Sequence, residues 1–285
     1  MSTVALKWRM ESKENIDSED DLLVPSFVDP QVDGAFGVEG CRGGGQPSRN
    51  ANDTERRWAM RTLECGALLF DLDGVLVDSG ASTERAWQLW AQKHELDAAE
   101  ILDIAHGRRT VETVRLVAPH LSAEDETATL EDIEVEDVAS IGEIPGAAEL
   151  LQALPAERWA IVTSGTRKLA TTRLRQMSLP VPRVLVSAED VTNGKPEPEC
   201  YLKAAQYLDV DPEDCIVVED APAGIEAAHA AGMRVVAVIT THSAKEVSAA
   251  DIRTRSLEQV RPAHPGSAGK SGVPAKISLT IENSE

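Results

Sequence analysis

Bases are scarce in this chain: 28 Lys and Arg stand against 48 Asp and Glu, a formal net charge of -20 over 285 residues. Such a surface repels phosphate backbones, so nucleic acid is not an expected partner. Cysteine is sparse too. Cys41, Cys65, Cys200 and Cys215 show no C-x-x-C spacing, which argues against a zinc site or a disulfide framework and reads as reduced thiols. No apolar run approaches the roughly 18 residues that suggest a membrane span. The first residues mix Lys7, Arg9, Glu11 and Lys13 without an apolar signal core. The expectation is a soluble, cytoplasmic protein with no membrane partner, a monomer or weak dimer. An acidic protein of this kind that takes an anionic small molecule needs a locally positive pocket built from a metal, Lys and backbone N–H groups.

What the chain does have is enough apolar residue, 42%, to bury a sizeable core. Residues 1–62 lack sustained periodicity, contain the Gly-rich piece Asp33 to Gly45, and read as a disordered extension. Residues 261–285, rich in Pro and Gly, have the same character, although Ile277 to Ile281 reads as a weak strand. Between them, short apolar runs alternate with helical patterns: Leu68 to Phe70, then Trp159 to Thr163, Arg183 to Val186, Cys215 to Val218 and Val235 to Ile239. Intervening helices are expected over Ala147 to Leu154, Glu199 to Leu208 and Pro222 to Ala231, the last closed by Gly232. Five β units joined by helices predict an α/β fold with a doubly wound parallel sheet.

Almost ninety residues separate the first two strands, far more than one crossover helix needs. An α-helical cap is therefore expected over residues 80–142, spliced into a core of residues 63–79 and 143–260. Its helices are predicted at Ser82 to Gln92, Ala98 to Ala105, Thr110 to Val117 and Glu124 to Ala139. Ser122 to Glu143 carries nine acids and no base, which reads as a solvated outer face.

The most informative stretch is Phe70-Asp71-Leu72-Asp73-Gly74, an apolar strand that stops at two carboxylates. Two ionised acids at the end of a buried strand call for a cation. Side chains alternate along a strand, so Asp71 and Asp73 project to one side, where oxygen ligands suit one hard cation. Gly74 lets the backbone turn beside it. Ligands bind beyond the carboxyl ends of such sheets, and there Asp71, Ser164 and Glu219 all arrive. Taken singly, Ser164 is a helix cap, Lys195 a solvated charge, and Glu219 and Asp220 helix-start acids; their joint arrival at the strand ends reverses those readings.

The ordered set Asp71-Leu72-Asp73-Gly74-Val75, Thr163-Ser164-Gly165, Gly194-Lys195-Pro196 and Val218-Glu219-Asp220 resembles the four motifs of the haloacid dehalogenase superfamily, over about Gly66 to Val260. The resemblance implies Asp71 as a nucleophile that forms an aspartyl-phosphate and Asp73 as the acid and base. It implies Ser164, Gly165 and Lys195 as phosphoryl contacts. Mg²⁺ would be held by Asp71, Asp220 and the backbone carbonyl of Asp73, with Glu219 in or just outside the coordination sphere. The cap resembles that of β-phosphoglucomutase-like enzymes and sugar or polyol phosphatases, which places His106, Arg109 and Thr110 in the substrate-contacting loop. Asp78 would shape the hinge into the cap. Trp87 and Trp90 read as cap core.

The expected function is a Mg²⁺-dependent phosphatase acting on a small sugar, deoxysugar or polyol monophosphate. The alternative is a phosphomutase on the same scaffold; a receiver-like or non-catalytic regulatory module is disfavoured, because Asp71 and Asp73 share one strand and no catalytic position is missing.

Overall fold

The strand that ends at Asp71 lies in the middle of the main sheet, which is why its side chains have no room for anything polar. The structure, a computed structural model, describes residues 59–105, 107–262 and 276–283; expectations for residues 1–58 and 263–275 lie outside them. Strand β1 (Ala59–Cys65) is followed by β2 (Ala67–Phe70), all four residues of which are buried. The short β3 (Val77–Asp78) leads into four helices: α1 (Gly80–Lys93), α2 (Ala98–Ala105), α3 (Thr110–Val117) and α4 (Ala123–Glu136). The chain returns through β4 (Gly142–Glu143), whose antiparallel pairing of Val77 with Glu143 and Asp78 with Gly142 ties the two connections together.

From there strands and helices alternate: α5 (Ala147–Ala153), β5 (Trp159–Val162), α6 (Arg167–Gln176), β6 (Val184–Val186), α7 (Glu199–Leu208), β7 (Cys215–Glu219), α8 (Pro222–Ala230) and β8 (Arg234–Val238). Strands β9 (Ile252–Thr254), β10 (Val260–Pro262) and β11 (Ile277–Asn283) close the chain. The main sheet runs β6-β5-β2-β7-β8-β9, all parallel. Strand order reverses between β2 and β7. In a doubly wound sheet the crevice at such a reversal is where ligands bind, and both β2 and β7 end there in acids.

One face of the sheet packs Leu68, Phe70, Ile161 and Val218 against α5 and α6 residues such as Leu150 and Leu174. The other packs Leu69, Val162 and Val217 against Tyr201, Ala204 and Ile225 of α7 and α8. The cap has its own core of Trp87, Trp90, Ile101, Val114 and Leu130. There Trp87 and Trp90 meet edge to face with centroids 5.4 Å apart, as core rather than surface. Among the described residues no helix is long and apolar enough to cross a membrane.

Three expectations are corrected. The main sheet has six strands, not five, because Ile252–Thr254 adds an edge too short to show a pattern. A strand is already present at Ala59, ahead of the core start expected at residue 63, and the weak strand expected at Ile277 to Ile281 is β11, which pairs antiparallel with β1 from Ala59↔Asn283 to Cys65↔Ile277. Ile277, Leu279 and Ile281 alternate inward onto the same core as Leu68. The alternation was visible as a weak strand, but its partner lies some 200 residues away in sequence, so the pairing was not. Helix α4 ends at Glu136, before a short 3₁₀ turn at Val138–Ser140, rather than running to Ala139.

Candidate active site

Asp71 follows β2 directly, and its N–H donates to Val218 O at 3.0 Å, so the strand edge itself fixes the carboxylate beside β7. Lys195, buried in the loop before α7, reaches it from below. Its Nζ donates to Asp71 Oδ1 at 2.5 Å, to Glu219 Oε1 at 2.6 Å and to Val162 O at 3.4 Å. Three donors thus meet three acceptors in a dry setting, which is the condition under which a buried ammonium is tolerated.

Glu219 is fully engaged. Oε1 also accepts from Tyr201 Oη at 2.8 Å, and Oε2 accepts the N–H groups of Asp220 and Ala221 at 2.9 and 3.1 Å. Burial opposes its ionisation, but Lys195 and these donors hold its carboxyl below the usual range. Burial pushes Asp71 the other way, up to about 7, with Lys195 pulling against it and Glu219 adding repulsion. Asp220 is raised well above its ordinary value by burial and by Glu219 and Asp71. Lys195 is raised well above its ordinary value, since Asp71 and Glu219 outweigh its desolvation.

Asp71, Glu219 and Asp220 each offer an oxygen within 4.8 Å of the others, and all three are buried. The set fits a hard divalent cation: it is all oxygen, and burial followed by repulsion among its acids raises Asp71 and Asp220, a repulsion that a cation would relieve. Asp71 and Asp220 suit direct ligation better than Glu219, whose two oxygens already serve four donors. The backbone makes room for this approach. Gly74 has φ +82°, and a Cβ there would stand 2.2 Å from Asp220 Oδ2. Its carbonyl is fixed by Thr240 Oγ1 at 2.6 Å, and the hydroxyl of Thr241 donates to Asp220 Oδ2.

Asp73 stands apart from this set. Its Oδ1 accepts from Ser79 Oγ and from Arg173 Nη1, both at 2.7 Å. Ser79 sits at the start of α1, so the hinge into the cap and the second acid are joined. The cleft above these groups, about 120 Å³, is lined by Asp71, Asp73, Ser164, Arg108, Thr110 and Trp87 among others.

The structure brings together Asp71, Asp73, Ser164, Gly165, Glu219, Asp220 and Thr110 on the cleft, with Lys195 buried beneath it. Ser164 does not cap α6; Thr166 does, accepting from Leu169 N at 3.1 Å. Ser164 Oγ instead donates to Gly107 O of the cap at 2.8 Å, while Gly165 N donates to Thr163 Oγ1 at 3.0 Å. His106 lies outside the described residues. Arg109 corrects the expectation for the cap loop: it is buried and turned away from the cleft. It ion-pairs with Glu112 and donates to Ala188 O, Val191 O and Thr192 O at 3.3, 2.9 and 2.7 Å. A guanidinium that satisfies three core carbonyls is a strap between cap and core, and exposed Arg108 takes the place on the cleft.

A sequence profile described as haloacid dehalogenase-like hydrolase matches residues 65–232, which contain Asp71, Asp73, Ser164, Lys195, Glu219 and Asp220. The chain belongs to the haloacid dehalogenase-like hydrolases. It is 42% identical over 203 residues to hexitol phosphatase A of Escherichia coli K12, covering 70% of this chain and 94% of that protein. It is 34% identical over 214 residues to glycerol-1-phosphate phosphohydrolase 2 of Saccharomyces cerevisiae, covering 70% and 86%. Among solved structures, β-phosphoglucomutase from Clostridium difficile superposes with a TM-score of 0.61 at 24% identity, over 69% of this chain and 93% of that one, a likeness of fold.

Several residues of this hydrolase's site escaped the sequence reading. Arg173 was overlooked although it falls on the apolar stripe of α6 with Leu169, Ala170 and Leu174, and a base on a buried face is a signal. Tyr201 likewise lies among Cys200, Ala204 and Ala205. Glu134, buried in an acidic run that read as solvated surface, gave no signal of its own. Thr241 and His242 follow β8 and line the cleft, at the sheet edge where ligands bind.

Proposed function

We propose that this protein is a Mg²⁺-dependent phosphatase of small sugar, deoxysugar or polyol monophosphates that works through an aspartyl-phosphate on Asp71. The names of the two curated relatives support the substrate class, and a cleft of about 120 Å³ roofed by the cap supports a small substrate. The observation that carries the mechanism is the separation of the two aspartates: Asp71 is joined to Lys195 and the acid cluster, Asp73 to Ser79 and Arg173.

Asp71 and Asp220 would hold the cation, with Glu219 behind them. When bound, Mg²⁺ offsets the repulsion between these acids and a phosphate dianion. Lys195 fixes the nucleophile by gripping Oδ1, which leaves Oδ2 to attack phosphorus. A P–O bond forms at Asp71 as the bond to the alkyl oxygen breaks, and Asp73 gives its proton to that oxygen, releasing an alcohol. Water then attacks the phosphorus, Asp73 takes the proton back, and the bond to Asp71 breaks to release inorganic phosphate. Proton transfer of this kind contributes about 10²- to 10⁴-fold.

The test is phosphate release from a panel of polyol and sugar phosphates with Mg²⁺. Inorganic phosphate from one or more of them, lost in Asp71→Asn at unchanged melting temperature, is the expected result. Isomerisation of a hexose 1-phosphate without phosphate release would replace the reading with a mutase.

A further inference from the structure

Arg173 is a core arginine with almost no access to water, and it is placed between two carboxylates from different parts of the fold. It is 3% exposed, on α6. Its Nη1 donates to Asp73 Oδ1 at 2.7 Å, and its Nη2 donates to Glu134 Oε2 of cap helix α4 and lies 3.4 Å from Thr83 Oγ1 of α1. Thr83 in turn donates to Glu134 at 3.2 Å. The guanidinium therefore joins the second aspartate of the core to two helices of the cap, and its Nε has no acceptor among the described residues.

A buried charge is costly unless paired, and one carboxylate on a surface-facing helix would have sufficed to pair it. The guanidinium instead spends one donor on an acid that faces the cleft. A planar, rigid fork of this kind fixes the direction of its partner as well as its charge, which the single Nζ of a lysine cannot do for two carboxylates at once. Ser79 holds the same Oδ1 from the hinge side, so Oδ1 is doubly anchored and Oδ2 is the oxygen left to face the substrate.

We propose that Arg173 is a positioning residue that presents Asp73 Oδ2 to the leaving-group oxygen, and that Glu134 fixes Arg173 in this role from the cap. The proposal rests on the reading of Asp73 as the proton donor. Arg173 itself touches no reacting atom. In kcat/KM, which reports the steps up to departure of the leaving group and not the later hydrolysis in which Asp73 takes the proton back, its effect appears only where the leaving oxygen must receive a proton as the P–O bond breaks. An alkyl phosphate needs that proton; p-nitrophenyl phosphate does not, because its leaving group departs as a stable anion.

The experiment compares kcat and KM for glycerol 1-phosphate and p-nitrophenyl phosphate in Asp73→Asn, Arg173→Lys, Arg173→Ala and Glu134→Gln, with melting temperatures. Arg173→Lys is expected to lose about tenfold to hundredfold in kcat/KM on glycerol 1-phosphate, within the range of one proton transfer. It should stay within about threefold on p-nitrophenyl phosphate, because that leaving group gains little from a proton donor. Millimolar guanidinium is expected to restore Arg173→Ala on glycerol 1-phosphate. If the arginine variants do not fold, Glu134→Gln carries the test, with the same selective loss expected. Equal loss on both substrates, or none, in the folded variants overturns the proposal. Asp73→Asn separates the two levels: if it fails to discriminate between the substrates, the reading of Asp73 falls, and if it alone discriminates, only the role of Arg173 falls.

Discussion

Gly224 of α8 and Glu219 of β7 stand so close that a Cβ on Gly224 would lie 1.6 Å from Glu219 Oε1. That oxygen accepts from both Lys195 and Tyr201, so the glycine leaves the space in which the charged network forms. Gly224→Ala is expected to lower stability by about 1–3 kcal/mol, the usual range for overpacking. It should also reduce turnover about tenfold or more, since ~1.4 kcal/mol lost at the transition state is enough. Urea unfolding and phosphate-release kinetics check both.

Tyr201→Phe removes one neutral donor to Glu219 Oε1 and leaves Lys195 in place. The expected cost is about 1–2 kcal/mol in stability, the price of one buried hydrogen bond. Lys195→Met removes the only cation touching Asp71 and Glu219 among the described residues, and is expected to cost about 3–5 kcal/mol, as for a broken buried pair. Denaturant unfolding of the two variants side by side tests this order; equal losses would contradict it.

Cation binding should depend on pH with a definite sign. Asp71, raised by burial to about 7, and Asp220, raised likewise, keep protons in the folded protein that the unfolded chain releases near 4. Without a cation, their contribution to stability is therefore fully present below about pH 4 and is lost as pH rises, for Asp71 through about 7. Glu219, lowered by Lys195 against its burial, acts oppositely: its contribution is present above its unfolded value and is lost as pH falls. Mg²⁺ competes with those protons, so the rise in melting temperature on adding it should be larger at pH 7.5 than at pH 5.5. Thermal melts at the two values, with and without Mg²⁺, decide it, and an equal rise would contradict the assignment.

The two cap-loop arginines should behave differently. Arg108→Ala removes an exposed group on the cleft and is expected to raise KM for a polyol phosphate with an unchanged melting temperature. Arg109→Ala strips three core carbonyls and Glu112 of their donor. It should lower the melting temperature, since each unsatisfied buried group costs about 1–3 kcal/mol.

What could be read from sequence follows from how locally each feature is encoded. The strand-end acids were legible because an apolar run ending in Asp71 and Asp73 has no packing explanation, and α2 and α3 were legible because their patterns and boundaries are local. That Arg109 is buried against core carbonyls while Arg108 lines the cleft was not legible, because both precede α3 in a loop with no periodicity and only the fold decides which way that loop faces. The pairing of Asp73 with Arg173 and Glu134 joins residues 100 and 39 positions apart. No periodicity carries such information, although the base on the apolar stripe of α6 hinted at it.

The central claim, that Asp71 carries the phosphoryl group, is tested most directly by acid-quenching the enzyme during turnover of a polyol phosphate and mapping its peptides by mass spectrometry. The account predicts a phosphoryl adduct on the peptide holding Asp71, formed and discharged at rates compatible with kcat and absent in Asp71→Asn. Turnover with no adduct at any quench time, or with the adduct on another residue, would contradict it.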